Sequence, residues 1–177
     1  MRLQAMLTMG VLILVPATAR AQWEVEADPL AYALGGFSVH VAREQPGGRE
    51  RLQVGVFGAD VPASLVGNDA FSERSRGVTL KFDHFVGNRT AGLFVGADGD
   101  YSRERYGLKA TGDSTSRNLF GLGPRVGYRF DVGRHVYVSP WFSAAYQFNV
   151  HDIALSGERL DQQKYSLFAA VHAGWRF

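Results

Sequence analysis

The sequence predicts an all-β protein, an antiparallel up-and-down transmembrane β-barrel of eight strands. Apolar and polar residues alternate in repeated short segments, most clearly from Tyr165 to Phe177. A period of two is typical of strands with two different faces. The chain also carries 21 glycines and 22 aromatic residues, which favours many strands joined by tight turns. After Ala21 no apolar run approaches the roughly twenty residues that a membrane helix needs.

Residues 1–21 are predicted to be a cleavable signal peptide, and residues 22–177 the barrel domain. Arg2 precedes an apolar stretch that runs from Met6 to Val15, and Ala19-Arg20-Ala21 fits the small-x-small cleavage rule. The alternative is a membrane anchor. The apolar stretch, about ten residues long, is too short to span a bilayer as a helix.

Charge and cysteine content exclude several classes of function. Without Arg2 and Arg20, the 19 Lys and Arg fall to 17 and match the 17 Asp and Glu. The mature chain is therefore formally neutral, and nothing in its charge indicates a nucleic-acid partner. The absence of cysteine excludes disulfides, thiolate metal sites and a lipid-modified cysteine. We expect no cofactor and no metal.

Seven strands are clear from the alternation, and an eighth is needed because single-chain bacterial barrels have an even number. The seven centre on 34–43, 52–57, 78–83, 93–101, 120–130, 136–148 and 165–176. The eighth is expected within 22–30, where Trp23, Val25 and Ala27 alternate with acidic residues before Pro29. The alternative is that this segment lies in the lumen or forms a short helix.

Connector lengths predict the orientation of the barrel. Short connectors are expected at 44–50, 87–90 and 131–134, and long ones at 60–75, 102–116 and 151–163. Outer-membrane barrels usually have short periplasmic turns and long outer loops. Aromatic residues cluster near both predicted ends, as in interfacial girdles. The periplasmic set is Tyr128, Phe130, Trp175 and Phe177, and the outer set is Tyr101, Tyr106, Tyr146, Phe148 and Tyr165.

Charged residues fall on the face opposite the apolar one and are predicted to form a lumen network. They are Lys81, Asp83, Asp98, Asp100, Arg125, Arg129, His172 and Arg176. They could form an ion or proton path, or a site for a small polar ligand. We favour a packed interior of salt bridges, because an eight-stranded barrel is just wide enough for side chains and an unpaired buried charge is costly.

Two sets of residues raise the question of catalysis by a Ser-His-acid site. His40, His172, Ser139 and Ser143 are predicted to point inward, and His151, Asp152 and Ser156 lie together at the outer rim. Neither set carries a nucleophile motif, so the sequence predicts a protein that is not an enzyme.

The predicted loop 102–117 is rich in basic residues. Arg103, Arg105, Lys109 and Arg117 could contact lipopolysaccharide phosphates through charge-assisted hydrogen bonds. The alternative is an ordinary solvated loop.

The signal peptide, the alternating strands and the terminal aromatic residue resemble the small eight-stranded outer-membrane proteins of the OmpX/OmpA-barrel class. The resemblance covers the whole of 22–177. It implies an outer-membrane location, contact with outer-membrane lipids and lipopolysaccharide, and a C-terminal signal that the barrel assembly machinery reads. The signal residues would be Tyr165, Val171, Trp175 and Phe177.

For function, the resemblance implies a role in envelope integrity or in surface contacts made by the outer loops. The alternatives are a narrow channel for small polar or lipophilic solutes and, more distantly, an enzyme that modifies outer-membrane lipids.

Overall fold

Eight strands close into a barrel in the computed structural model, which describes residues 22–33, 35–61, 66–87 and 89–177. The predicted signal peptide lies outside the described residues. Around the barrel the strand order is β1-β10-β7-β6-β5-β4-β3-β2, and every neighbouring pair is antiparallel. The barrel strands are β1 (Trp23–Ala27), β2 (Phe37–Glu44), β3 (Glu50–Val61), β4 (Phe71–Phe85), β5 (Gly92–Leu108), β6 (Ser114–Asp131), β7 (Val136–Phe148) and β10 (Tyr165–Arg176). The predicted fold class and strand number are confirmed.

Two further elements lie in the connections. A one-turn helix, α1 (Pro29–Ala33), follows β1, and a hairpin of β8 (Ile153–Leu155) and β9 (Glu158–Leu160) lies between β7 and β10. Within the described residues, no helix is long and apolar enough to cross a membrane.

The barrel is apolar on its outside and polar on its inside. Leu80 leaves 56% of its surface exposed, whereas the next residue, Lys81, leaves 4%. The outward side chains of the other strands are also apolar and exposed, among them Val54, Val95 and Phe142. A water-soluble fold reverses this arrangement, because it buries apolar surface. The exposed apolar belt therefore faces lipid.

Aromatic side chains lie outward at both edges of the belt. Tyr101, Phe148 and Tyr165 are exposed at the outer edge, as predicted. Exposed rings at the periplasmic edge are those of Tyr128, Phe130, Trp175 and Phe177. The prediction for Tyr106 was wrong: this side chain is 1% exposed and belongs to a buried cluster at the outer end of the barrel.

The segment before β2 contains both a strand and a short helix, which were the alternatives for this part of the sequence. Trp23–Ala27 is a strand that pairs with β2 on one side and with β10 on the other, which closes the ring. Helix α1 then begins, because the Asp28 carboxylate accepts the Leu30 backbone N–H at 2.9 Å and Pro29 suits the first helical position. It ends before Gly35, whose φ of 79° favours glycine. Strand β2 consequently begins at Phe37 rather than at residue 34.

Three predicted connectors were wrong in extent. Strands β5 and β6 continue to Leu108 and from Ser114, so the connector predicted at 102–116 is a turn of five residues. Strands β3 and β4 likewise extend into 60–75, and the hairpin occupies part of 151–163. Beyond the lipid, an outward residue can be polar. The hydropathy contrast that identifies a strand therefore disappears while the strand continues.

Inward glycines make room for large rings in the narrow interior. A Cβ atom at Gly55 would overlap the ring of His40, and one at Gly127 would overlap Phe94. At Gly174 it would overlap the ring of Tyr137. The glycine-rich inner face of the sequence is therefore a packing requirement.

Candidate functional site

The periplasmic half of the lumen is filled by a network of ion pairs, here called the basal cluster. Its centre is Arg51, which is fully buried and contacts three carboxylates: Glu26 at 2.6 Å, Asp83 at 2.7 Å and Glu24 at 3.2 Å. A buried guanidinium is tolerated because several acceptors neutralise it and satisfy its N–H groups. The members of the cluster are Glu24, Glu26, Glu44, Arg51, Asp83, Arg125, Arg129, Asp131 and Arg176.

Tyr137 joins the two sides of the basal cluster. Its hydroxyl lies 2.9 Å from a Glu24 oxygen and 2.8 Å from a Glu26 oxygen. The guanidinium carbon of Arg129 lies 3.5 Å from the centroid of the Tyr137 ring. At the periplasmic end, the Thr90 hydroxyl donates to the Glu44 carboxylate. The cluster therefore extends to the turn between β4 and β5.

The predicted lumen residues lie at three levels. Asp83, Arg125, Arg129 and Arg176 belong to the basal cluster. Lys81 and His172 lie at its outer boundary, and Asp98 and Asp100 line the open space beyond it. All eight therefore point inward, and Arg176 is the most exposed of those in the basal cluster, with 19% of its side chain accessible.

Sequence reasoning missed the centre of the basal cluster. Arg51 lies one residue before the apolar stretch that begins at Leu52, so the alternation that identifies this strand does not include it. Glu24 and Glu26 alternate with Trp23 and Val25, which is the signal that could have placed both carboxylates in the lumen.

The boundary of the basal cluster carries two stacked histidines. The rings of His40 and His172 are 4.7 Å apart, and His172 Nδ1 lies 2.9 Å from a Glu26 oxygen. These two rings and the Glu26 carboxylate bring three potential metal ligands within 4.8 Å of one another. However, Lys81 Nζ lies 3.2 Å from His40 Nε2, so an ammonium already occupies the neighbourhood of a bound cation. This arrangement suits a hydrogen-bonded chain better than a metal centre.

Beyond the histidines the lumen opens into a cavity of about 330 Å³, here called the outer cavity. Trp141, Lys81 and the two histidines form its floor. Its outer wall includes Glu104, which accepts hydrogen bonds from Arg117 at 2.9 Å and from the Tyr106 hydroxyl at 2.5 Å. An apolar cluster then covers the outer end on the β4–β5 side, where the β8–β9 hairpin packs on inward side chains of both strands. That cluster consists of Val66, Phe71, Tyr106, Leu108, Ile153 and Leu160.

Arg117 does not lie where the sequence predicted. It was expected in a solvated loop, but it lies on β6, points inward and is 8% exposed. Its guanidinium also donates to the Gln162 side chain at 2.5 Å and to the His151 carbonyl at 2.8 Å. These bonds tie the outer loop to the barrel, so Arg117 is not placed to contact lipopolysaccharide.

Arg103 and Arg105 lie outward on β5, where two further arginines join them. Arg103 pairs across the strands with Arg76, and Arg105 pairs with Arg74. All four are exposed, just beyond the Val78 and Tyr101 level of the apolar belt. We call Arg74, Arg76, Arg103 and Arg105 the outer arginine row. Lys109 is exposed in the following turn, where its ammonium donates to the Asp69 carbonyl at 2.7 Å.

One arginine of the outer arginine row has a carboxylate partner. Asp60 pairs with Arg74 at 2.5 Å. Within the described part of the chain, Arg76, Arg103 and Arg105 form no ion pair. Like charges directly opposite each other destabilise a strand pair, so an anion bound between these arginines would stabilise the outer arginine row.

No Ser-His-acid relay forms among the described residues. At the rim, the Ser156 hydroxyl donates to the Asp113 carboxylate, while His151 Nδ1 lies 3.1 Å from the Asn149 carbonyl. Asp152 pairs with Arg159, and the Gln162 backbone N–H and this guanidinium lower the pKa of the Asp152 carboxyl from 3.8. In the lumen, Ser139 lies opposite His172 in the register, yet its buried hydroxyl has no hydrogen-bond partner.

The predicted insertion-signal residues lie along one line of the surface. Tyr165, Val171 and Trp175 face outward on β10, and Phe177 follows, 70% exposed. Their role in assembly stays a prediction.

No family model matches the chain, and no curated protein matches it. Among solved structures, the chain is similar to Neisserial surface protein A, with 17% identity over 88% of this chain and 94% of that one and a TM-score of 0.46. It is also similar to a major outer membrane protein from Thermus thermophilus, with 18% identity over 89% of this chain and 99% of that one and a TM-score of 0.49. A third similar structure is Ail, the attachment invasion locus protein of Yersinia pestis, with 10% identity over 89% of this chain and 97% of that one and a TM-score of 0.45.

The chain's own geometry defines its class. Closed barrels leave no strand edge unpaired in lipid, and small antiparallel barrels with an outward apolar belt and aromatic girdles are the architecture of bacterial outer-membrane proteins. The chain is therefore an integral outer-membrane protein with a transmembrane barrel of eight strands.

Proposed function

We propose that this protein is a non-enzymatic outer-membrane barrel that does not conduct and that acts through its outer surface, in envelope integrity and surface contacts. The observation that carries the proposal is the basal cluster. Its side chains cross the lumen and bond to one another, and Arg51, Glu24, Glu26 and Asp83 are each at most 1% exposed. An ion that crossed this layer would have to separate buried ion pairs.

Conductance in a planar bilayer tests the closed lumen. We expect the refolded chain to insert without producing stable current steps at any salt concentration. A variant in which the layer is thinned, with Arg51→Ser, Glu26→Ser and Tyr137→Ser together, should conduct, because it removes the side chains that cross the lumen. The control is the same triple change on exposed residues, Arg134→Ser, Glu158→Ser and Tyr32→Ser.

Steady, salt-dependent steps from the unmodified protein would contradict the closed lumen and favour the alternative of a narrow channel. Folding of every variant is checked by its heat-dependent shift in gel mobility, so that a silent variant is not confused with an unfolded one.

The outer arginine row supports a contact with lipopolysaccharide phosphates. The Cα atoms of Arg76 and Arg103 lie about 7 Å beyond those of the lipid-facing Val78 and Tyr101, which is two residues of strand rise and the level of the headgroups. Arg76 and Arg103 face each other there without a carboxylate from the described residues. A phosphate between them would relieve their repulsion and accept charge-assisted bonds from both.

Stability in vesicles with and without lipopolysaccharide tests this contact. We expect lipopolysaccharide to raise the free energy of unfolding of the unmodified protein. Arg76→Gln with Arg103→Gln should reduce that increment by about 1 kcal/mol for each arginine. The matched control, Arg89→Gln with Arg134→Gln, changes exposed arginines of the periplasmic turns and should keep the full increment. An equal increment in all three proteins would contradict the proposed contact.

The C-terminal strand is proposed to carry a signal for assembly into the outer membrane. The outward residues Tyr165, Val171, Trp175 and Phe177 are proposed as the signal that the barrel assembly machinery reads. Their exposure along β10 supports this role, since a folded barrel leaves them accessible.

A further inference from the structure

The outer cavity is lined by carboxyl groups that have no ion-pair partner in the part of the chain that the structure describes. Glu73, Asp98 and Asp100 line it, and within the described residues none of them forms an ion pair. Asp98 is also only 9% exposed, so a cation bound beside it would meet little competition from water. By contrast, every carboxylate of the basal cluster below has an arginine partner. Among the described residues of the lumen, the carboxyl groups without an arginine partner therefore line the cavity.

The cationic side chain at the cavity forms no ion pair with these carboxyl groups. Lys81 is the one lysine or arginine among the described lining residues. Its Nζ atom lies over the ring of Trp141, 4.4 Å from the centroid, and next to His40 Nε2. Although Lys81 is opposite Asp98 in the register, the two side chains form no ion pair. The ammonium belongs to the floor, and the carboxylates face open space.

The rest of the lining is largely apolar and aromatic. Phe57 of β3, Phe168 of β10 and Ala145 of β7 line the cavity. Phe168 is an inward residue, paired with Ser143, yet 53% of it is exposed. Its ring packs against Trp141, with the ring centroids 5.4 Å apart, and leaves its other surface to the cavity. An inorganic ion would leave this surface in contact with water.

The cavity also borders a gap in the strand pairing, here called the seam. Strand β10 pairs with β1 only from Ala173 to Arg176, so its outer half pairs with β7 alone. Helix α1 lies beside that unpaired edge, and Ala31 of α1 and Phe37 of β2 contribute to the cavity lining. Residues at the seam therefore form part of the cavity wall, while side chains close the periplasmic end of the lumen.

We propose that the outer cavity binds a small lipophilic organic cation, such as an aryl quaternary ammonium ion. The cationic group lies against Asp98, Asp100 and Glu73, and the apolar body lies against Phe57 and Phe168. Carboxylates and aromatic faces both attract such a group, and a volume of about 330 Å³ is within the range of small-molecule sites. This site is independent of the lipopolysaccharide contact proposed above.

Titration with benzyltrimethylammonium tests the site. The chain has three tryptophans, and Trp23 and Trp175 face outward. With Trp23→Phe and Trp175→Phe, Trp141 at the cavity floor becomes the single fluorescent reporter in the refolded protein. We expect a saturable fluorescence change at millimolar concentration or below. Benzylsulfonate, an anion of similar shape, should give none.

Matched variants separate the cavity carboxylates from general charge. Asp98→Asn with Asp100→Asn should weaken binding by about tenfold or more, because the charge goes and the shape remains. The control, Asp60→Asn with Asp161→Asn, removes two exposed carboxylates outside the lumen and should bind as the reporter protein does. If the Asn variant fails the gel-mobility test of folding, Ala145→Phe fills the cavity without changing its charge and should abolish saturation.

Three results would overturn the proposal. They are the absence of a saturable change, equal responses to the cation and the sulfonate, and unchanged binding in the cavity variant that folds.

Discussion

Replacing Arg51 by Met is expected to destabilise the barrel by about 3–5 kcal/mol, because it leaves a set of buried carboxylates without their main counter-charge. Glu24, Glu26 and Asp83 all contact this guanidinium, and all three are buried. Met keeps much of the side-chain length and apolar volume, so the loss reports the charge more than the packing. The measurement is the free energy of unfolding in urea, in vesicles of fixed lipid composition.

Arg134→Met is the control for this change, since Arg134 is exposed in the β6–β7 turn and should tolerate the substitution without measurable effect. A second arm adds Glu26→Gln to Arg51→Met. The double variant should recover part of the lost stability because one unpaired carboxylate is gone. If the two losses simply add, the side chains do not act as a network and the interpretation of the basal cluster fails.

Replacing Gly174 by Ala is expected to cost about 1–3 kcal/mol, although it adds a single methyl group. The new Cβ would overlap the ring of Tyr137. That ring cannot easily move aside, because the Arg129 guanidinium stacks on it and its hydroxyl bonds to Glu24 and Glu26. Unfolding in urea measures the cost.

The same substitution at Gly133 provides the comparison, since a Cβ there meets no atom within 4 Å. It should leave stability unchanged. In a Tyr137→Ala background, Gly174→Ala should cost much less, because the ring that it displaces is absent. An equal cost in both backgrounds would show that the penalty comes from the backbone of β10 and not from the packing of Tyr137.

The alternation of the sequence was sufficient to predict the ring of strands and the direction of most side chains. Asp83, Arg125 and Arg129 point inward as expected, because each lies one residue from a lipid-facing apolar neighbour. Alternation is a local property, and direction follows from it without knowledge of the rest of the chain.

Partners across the lumen could not be predicted in the same way. Arg129 and Glu24 are 105 residues apart in sequence, yet their side chains meet at 2.7 Å. Such contacts depend on the stagger of the strands around the closed barrel, which one strand's alternation does not contain. Arg117 was misplaced for a different reason: beyond the lipid, polar residues occupy both faces of β6, and the periodic contrast is lost.

Because of the seam, neighbouring strands do not resist separation equally around the barrel. Four residue pairs join β1 to β10, whereas eleven join β10 to β7 and sixteen join β5 to β6. Transient separation of neighbouring strands is therefore least costly between β1 and β10, and amide hydrogens there should exchange with solvent sooner than those of the β5–β6 ladder. The same asymmetry predicts an order of folding, in which the long ladders form first as an open sheet and the short ladder joins its two edges last.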